Sequence, residues 1–105
     1  MATKVQRGQH RQFQKAFTDT WAVSDSFDFG SVDDGNEEVT AITVSGVNMG
    51  DMVLGVATSS SALDLNLVAQ VTGTDTVEFQ VENNTGGAIN LSTATYTCFI
   101  GRPNW

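Results

Sequence analysis

The sequence predicts an all-β chain: an antiparallel β-sandwich of jelly-roll-like type preceded by an extended or partly helical N-terminal arm. Three observations predict it. Val77, Phe79 and Val81 alternate with Glu78, Gln80 and Glu82, the period of two that marks a strand with one buried and one wet face. Runs of this kind recur at short intervals with Gly, Asn and Asp between them, the spacing of a sandwich or barrel rather than of a parallel α/β sheet. No helical period of useful length follows residue 22.

The elements divide the chain into a basic arm at 1–20, a sandwich domain at 21–101 and a short tail at 102–105. Within the arm, Phe13, Phe17 and Trp21 recur every fourth residue, which would place them on one stripe of a helix. Trp21 to Phe29 alternates loosely, and Ser31 to Glu38 reads as a loop with a turn signal at Asp34 and Gly35. Val39 to Val44 is a β-branched strand ended by Ser45 and Gly46. After the VNMG loop, Met52, Leu54 and Val56 share one face of the next strand. Leu63, Leu65, Leu67, Ala69 and Val71 then give the longest clean alternation, and Thr72 to Asp75 turns it into the strand at 76–81. The NNTGG run at 83–87 breaks the pattern, and Ala94 to Ile100 resumes it with Tyr96, Cys98 and Ile100 on one face.

Length and charge bound the function. A chain of 105 residues makes about one domain, with roughly two-thirds of the unfolded surface buried. The single Cys98 excludes an intrachain disulfide, so stability comes from packing or assembly. No apolar run approaches the roughly 18 residues of a membrane span, and the amino terminus lacks the apolar core of a secretion signal. The expectation is a soluble protein made in a cytoplasm, with no membrane partner. The net charge of -7 hides a division: Lys4, Arg7, Arg11 and Lys15 stand in the first 18 residues without an acid, whereas residues 19–105 hold all 12 Asp and Glu against Arg102 alone. Such a leader can trail in solvent or dock on another subunit, with Phe13, Phe17 and Trp21 as apolar anchors and Arg7, Arg11 and Lys15 as charged contacts. Four cations with no accompanying motif do not make a nucleic-acid site.

The chemistry in the sequence is thin. His10 is the one histidine and lies in the leader, far from Cys98, so neither a catalytic triad nor a zinc spacing arises. Cys98 within a strand reads as a buried, inert thiol. Asp33, Asp34, Glu37 and Glu38 offer oxygen ligands around a glycine but lack the ligand spacing of a calcium loop. A solvated loop is the better reading. Gly86 and Gly87 have no phosphate-loop lysine and read as turn residues. The expectation is no enzyme, cofactor or metal.

The span from Val39 to Ile100 resembles a type of small virion protein of tailed bacteriophages. The likeness is carried by the order of parts: the β-branched strand, the turn at 46–51 with its Gly50-Asp51 pair, a hydrophobic strand and a loop. An alternating strand leading to Asp75-Thr76-Val77 follows, then NNTGGAINL before the last strand. It implies a β-sandwich subunit, usually a capsid decoration (cement) protein and otherwise a tail adaptor or fibre component, commonly a homotrimer. The implied partners are the major capsid protein and other copies of itself, and the implied location is the capsid surface of a virion. A reading of a different class is a carbohydrate-binding sandwich using Trp105, Tyr96 or the acidic loop.

Overall fold

The computed structural model describes residues 3–8, 16–61 and 64–105. Among these the chain is all-β and antiparallel, with strands β1 (Lys4–Gly8), β2 (Phe17–Phe27), β3 (Ser31–Val32), β4 (Glu37–Thr43), β5 (Met52–Thr58), β6 (Asn66–Gly73), β7 (Thr76–Glu82), β8 (Ile89–Asn90) and β9 (Ala94–Pro103). A four-stranded sheet runs β1-β2-β9-β5, a three-stranded sheet runs β4-β7-β6, and β3 pairs with β8. Pairing is nested, β2 with β9, β3 with β8 and β4 with β7. Because β5 joins β9 and β6 joins β7, the larger sheets are an antiparallel pair compatible with a β-sandwich.

The alternation dictates the core. In β7, Val77, Phe79 and Val81 are all fully buried, opposite Val71, Ala69 and Leu67 of β6, as their parity predicts. In β9, Tyr96, Cys98 and Ile100 point inward, and from β2 so do Trp21 and Val23. The two sheets meet in an aromatic cluster: Tyr96 stacks on Phe27 at 4.4 Å, and Phe79 reaches both, with centroids 5.5 Å from Phe27 and 6.1 Å from Tyr96. Such ring pairs add roughly 0.5–1.5 kcal/mol each beyond area burial.

Three expectations are corrected. The proposed loop at 31–38 contains β3 and the start of β4; Val32 is fully buried there. Met52, Leu54 and Val56 do not share a face, because a bulge between Val53 and Gly55 shifts the register. Val53 and Val56 pack on the core, whereas Met52 and Leu54 are exposed; an extra residue flips every side chain beyond it. The boundary at residues 20 and 21 falls inside β2, and the tail boundary at 102 falls inside β9.

The segment set apart as an arm therefore contributes strands to the sheet. Lys4–Gly8 pairs with Thr20–Ser24, and Phe17 and Trp21 lie on β2 rather than on a helix. A spacing of four is even as well as near a helical turn, so it fits either geometry. The irregularity between Phe17 and Asp19 decides the outcome, and it sends these two aromatics to opposite faces. Trp21 enters the core, whereas Phe17 packs on the outer side against Gly101, where a Cβ would come within 2.7 Å of its ring.

Candidate functional site

The outer face of the four-stranded sheet carries two rows set by its register. One is Gln6, Ala22, Phe99 and Gly55, and the next is Lys4, Ser24, Thr97 and Ala57. The small side chains leave a trough of about 660 Å³ across all four strands. At one end Phe17 covers Gly101 and Trp105 lies 6.0 Å from the Phe17 ring, itself 79% exposed. Lys4 supplies the one charge among the described residues of these rows.

The carboxylates lie elsewhere. On the outer face of the three-stranded sheet, register places Glu82 between Glu37 and Asn66, and Glu78 between Ala41 and Gln70. Between these rows Val39, Gln80 and Val68 stand side by side, and both valines are 51% exposed, an apolar pair inside an acidic rim. Asp33 and Asp34 sit in the loop before β4, where the Asp34 carboxylate accepts the Gly86 N–H at 3.0 Å. No group of three His, Cys, Asp or Glu that could hold a metal occurs among the described residues.

At one end of the core, both chain ends converge on Trp21. The Arg7 and Arg102 guanidinium carbons lie 5.0 and 5.1 Å from the indole centroid, within cation–π range. Arg7 Nε donates to Asp19 Oδ2 at 2.7 Å, and Arg102 pairs with Asp51. The indole Nε1 donates to the Ser45 carbonyl at 3.1 Å. Gly46, at φ +98°, leaves room for Arg7, whose guanidinium a Cβ there would strike. This cluster seals the core.

The sequence-derived contact residues thus divide. Phe13, Arg11 and Lys15 lie outside the described residues, as does His10. Trp21 is fully buried in its own chain and Phe17 is 7% exposed, so neither is an exposed anchor for another subunit. Arg7 is half exposed, tied to Asp19. Tyr96, named as a glycan platform in the carbohydrate reading, is 1% exposed and belongs to the core stack. Cys98 is buried, and burial pushes its thiol up to about 12, so it does not present a thiolate nucleophile near neutral pH. The trough itself was not anticipated; its signal was the outward parity of β2 and β9, where uncharged Ala22, Ser24 and Thr97 stand beside Phe99.

No family model matches the chain, and no curated protein or solved structure matches it either.

Proposed function

We propose that this chain is a structural, non-enzymatic virion subunit, a capsid decoration (cement) protein of a tailed bacteriophage. In this reading it is made in the host cytoplasm and binds the major capsid protein on the outer shell. The observation that carries the reading is a pair of separate surfaces with exposed apolar side chains on one small sandwich. Val39 and Val68 mark the first, and Met52, Leu54 and Trp105 lie at or beside the other sheet. A subunit that bridges neighbouring capsomers needs at least two contact surfaces, and avidity across several contacts lets each remain weak. Extra interface area then resists the outward pressure of packaged DNA without altering the shell protein. The resemblance over Val39 to Ile100 supports the same role, and the inert, buried Cys98 supports the absence of thiol catalysis. Carboxylates on the outer face of the three-stranded sheet would repel nucleic acid, so no direct contact with packaged DNA enters the proposal, nor does a cofactor or membrane.

Quantitative mass spectrometry of purified particles tests this. Many copies per capsid are expected. A few copies per particle, lost with the tail, would move the chain to a tail adaptor or fibre, and absence from particles with binding to a glycan array would favour the carbohydrate-binding reading.

A further inference from the structure

We infer that the free edge of β4 is a strand-addition site, on which an extended, cationic segment of another protein pairs as a fourth strand of the β4-β7-β6 sheet. The inference stands apart from the virion reading. Bond direction shows which backbone groups are open. Residues of an antiparallel pair alternately aim their backbone groups at the partner strand and away from it. At the two ends of the β4-β7 ladder, the Asn83 N–H donates to the Asn36 carbonyl and the Val44 N–H donates to the Asp75 carbonyl, both at 2.9 Å. The even-numbered residues between them therefore face β7. The N–H and C=O groups of Glu37, Val39, Ala41 and Thr43 face outward, and no strand pairs with them among the described residues. All four residues are exposed. Other edges are guarded: β1 carries Lys4 and Arg7, and β5, interrupted by its bulge, lies beside β6. Charges and bulges of this kind discourage added strands. β4 runs in unbroken register without Lys, Pro, Gly or bulge, and its stretch from Val39 to Thr43 is uncharged and largely β-branched.

Charge selects the occupant. The three strands hold Glu37, Glu38, Glu78 and Glu82 and no Lys or Arg, so an acidic strand is repelled. A second copy is opposed in the same sense by its net charge of -7. On the outer face, a strand added about 4.8 Å from β4 meets Glu37, Val39 and Ala41 in turn. A cation opposite Glu37 pairs with its carboxylate, which Gln80 Nε2 already holds in place at 2.5 Å. An apolar residue opposite Val39 covers a side chain that is 51% exposed. Opposite Ala41, a second long cation passes over the small side chain toward Glu78, the β7 neighbour of Ala41. The segment so defined reads cation, apolar, cation at every second position, with small β-branched residues between them beside Thr40 and Ile42. That pattern is the same in both directions, so it fits either strand polarity. Main-chain bonds would supply the affinity and the alternate side chains the selectivity.

Hydrogen exchange and amide shifts of the isotope-labelled full chain, titrated with the end-capped peptide Thr-Lys-Thr-Val-Thr-Lys-Thr, test the inference. The Val39 and Ala41 amides should exchange rapidly in the free chain and slow on addition of peptide, whereas those of Thr40 and Ile42, bonded to β7, should be slow throughout. A peptide with Glu in place of each Lys should bind about tenfold more weakly or worse, the scale of two attractive cross-strand pairs made repulsive. Ala41→Pro removes an N–H that β7 does not use, a position where an edge strand tolerates proline, and should abolish binding; Val39→Pro does the same at a second position. Circular dichroism confirms that each variant folds. Should both proline variants fail to fold, Glu37→Lys carries the test: it should weaken the cationic peptide and strengthen the acidic one. Unchanged exchange at Val39 and Ala41 under millimolar peptide overturns the inference. So does equal binding of the two peptides, or binding that persists in a folded proline variant. Protection of the same amides in the free chain as its own concentration rises would assign the edge to a second copy, and likewise overturn it.

Discussion

Arg102 grips Asp51 at two points, with Nε donating to Oδ1 and Nη2 donating to Oδ2, both at 2.9 Å. The fork geometry matches a carboxylate in a way that a lysine ammonium cannot. A further Nη2 bond to the Gly46 carbonyl at 2.8 Å ties the loop after β4 to the last strand. The Asp51 carboxylate is 3% exposed, so removing its partner leaves a desolvated charge. Arg102→Ala should lower stability by about 2 kcal/mol, the scale of a lost bond to a charged group plus the cation–π contact with Trp21. Arg102→Lys should recover less than half of that. Urea denaturation midpoints check both, and a lysine variant as stable as the parent would refute the role of the fork.

Asn83 holds the opposite end of the fold. Its side chain is fully buried, donating from Nδ2 to the carbonyls of Val32 at 2.7 Å and Gly87 at 2.8 Å. Its Oδ1 accepts from the Thr85 amide at 2.9 Å and hydroxyl at 2.7 Å. Asn83→Ala should cost about 3 kcal/mol, since buried carbonyls and an N–H lose partners. Asn83→Asp sets a carboxylate against two carbonyl oxygens at neutral pH. Protonation restores one donor, so this variant should become more stable relative to the parent on acidification. Thermal melts of both proteins between neutral and acidic pH check the reversal.

How much was legible in the sequence follows from strand parity. The series Val77, Phe79, Val81 predicted the core face of β7 and, carried two residues further, lands on Asn83. The polar NNTGG composition made that position look like an ordinary turn. Likewise Tyr96, Cys98 and Ile100 lead by the same step to Arg102, which a tail boundary had cut off. In both places a polar residue occupies an inward position and is satisfied by a partner distant in sequence: Val32 for Asn83 and Asp51 for Arg102. Hydrophobic patterning cannot see such pairs, because only the tertiary fold supplies the partner. The bulge at Leu54 was hidden for a different reason. An extra residue leaves no mark in a run where every side chain is apolar, so Met52, Leu54 and Val56 read as one face until the register was known.

Phe79 tests the part that parity did predict. It is fully buried between Phe27 and Tyr96, so Phe79→Ala should cost about 3–5 kcal/mol, the range for a large aromatic removed from a packed site. The loss should appear as a lower urea midpoint with an unchanged slope. An unaltered midpoint would contradict the inward orientation of the β7 series.

Alkaline pH should weaken the fold through Cys98. The buried thiol is pushed up to about 12 from a value of 9.0 in the unfolded chain. Below about pH 9 both states keep the proton and the difference has no effect. Above it the unfolded chain ionises while the folded chain does not, so stability falls progressively between about pH 9 and 12. Tyr96, raised first by burial, acts in the same direction from about pH 10. Cys98→Ala should therefore retain a shallower alkaline decline due to Tyr96. A variant with the same pH slope as the parent would show that Cys98 makes no such contribution. A thiol reagent at pH 8 should modify the parent only at the rate of its unfolding.

The last prediction concerns truncation at the amino terminus. Treating residues 1–20 as a separable arm leads to the expectation that their deletion leaves a folded body lacking one contact. The register opposes this. Removing residues 1–20 deletes β1 and the first residues of β2, with Phe17 opposite Pro103, Asp19 opposite Arg102 and Thr20 opposite Gly101. It also uncovers Gly101, over which Phe17 lies, and takes away Arg7 from the indole of Trp21. Burial of Phe17 alone contributes about 1.5–3 kcal/mol, a large fraction of the 5–15 kcal/mol that holds a domain together. The truncated chain should therefore show no cooperative melt above 25 °C. Deleting only residues 1–8 should leave β2 intact, expose one edge of the sheet and lower the melting temperature without abolishing it. Comparison of the two truncations by calorimetry separates a strand of the sandwich from a detachable arm; a 21–105 fragment that melts cooperatively at the temperature of the full chain would restore the arm.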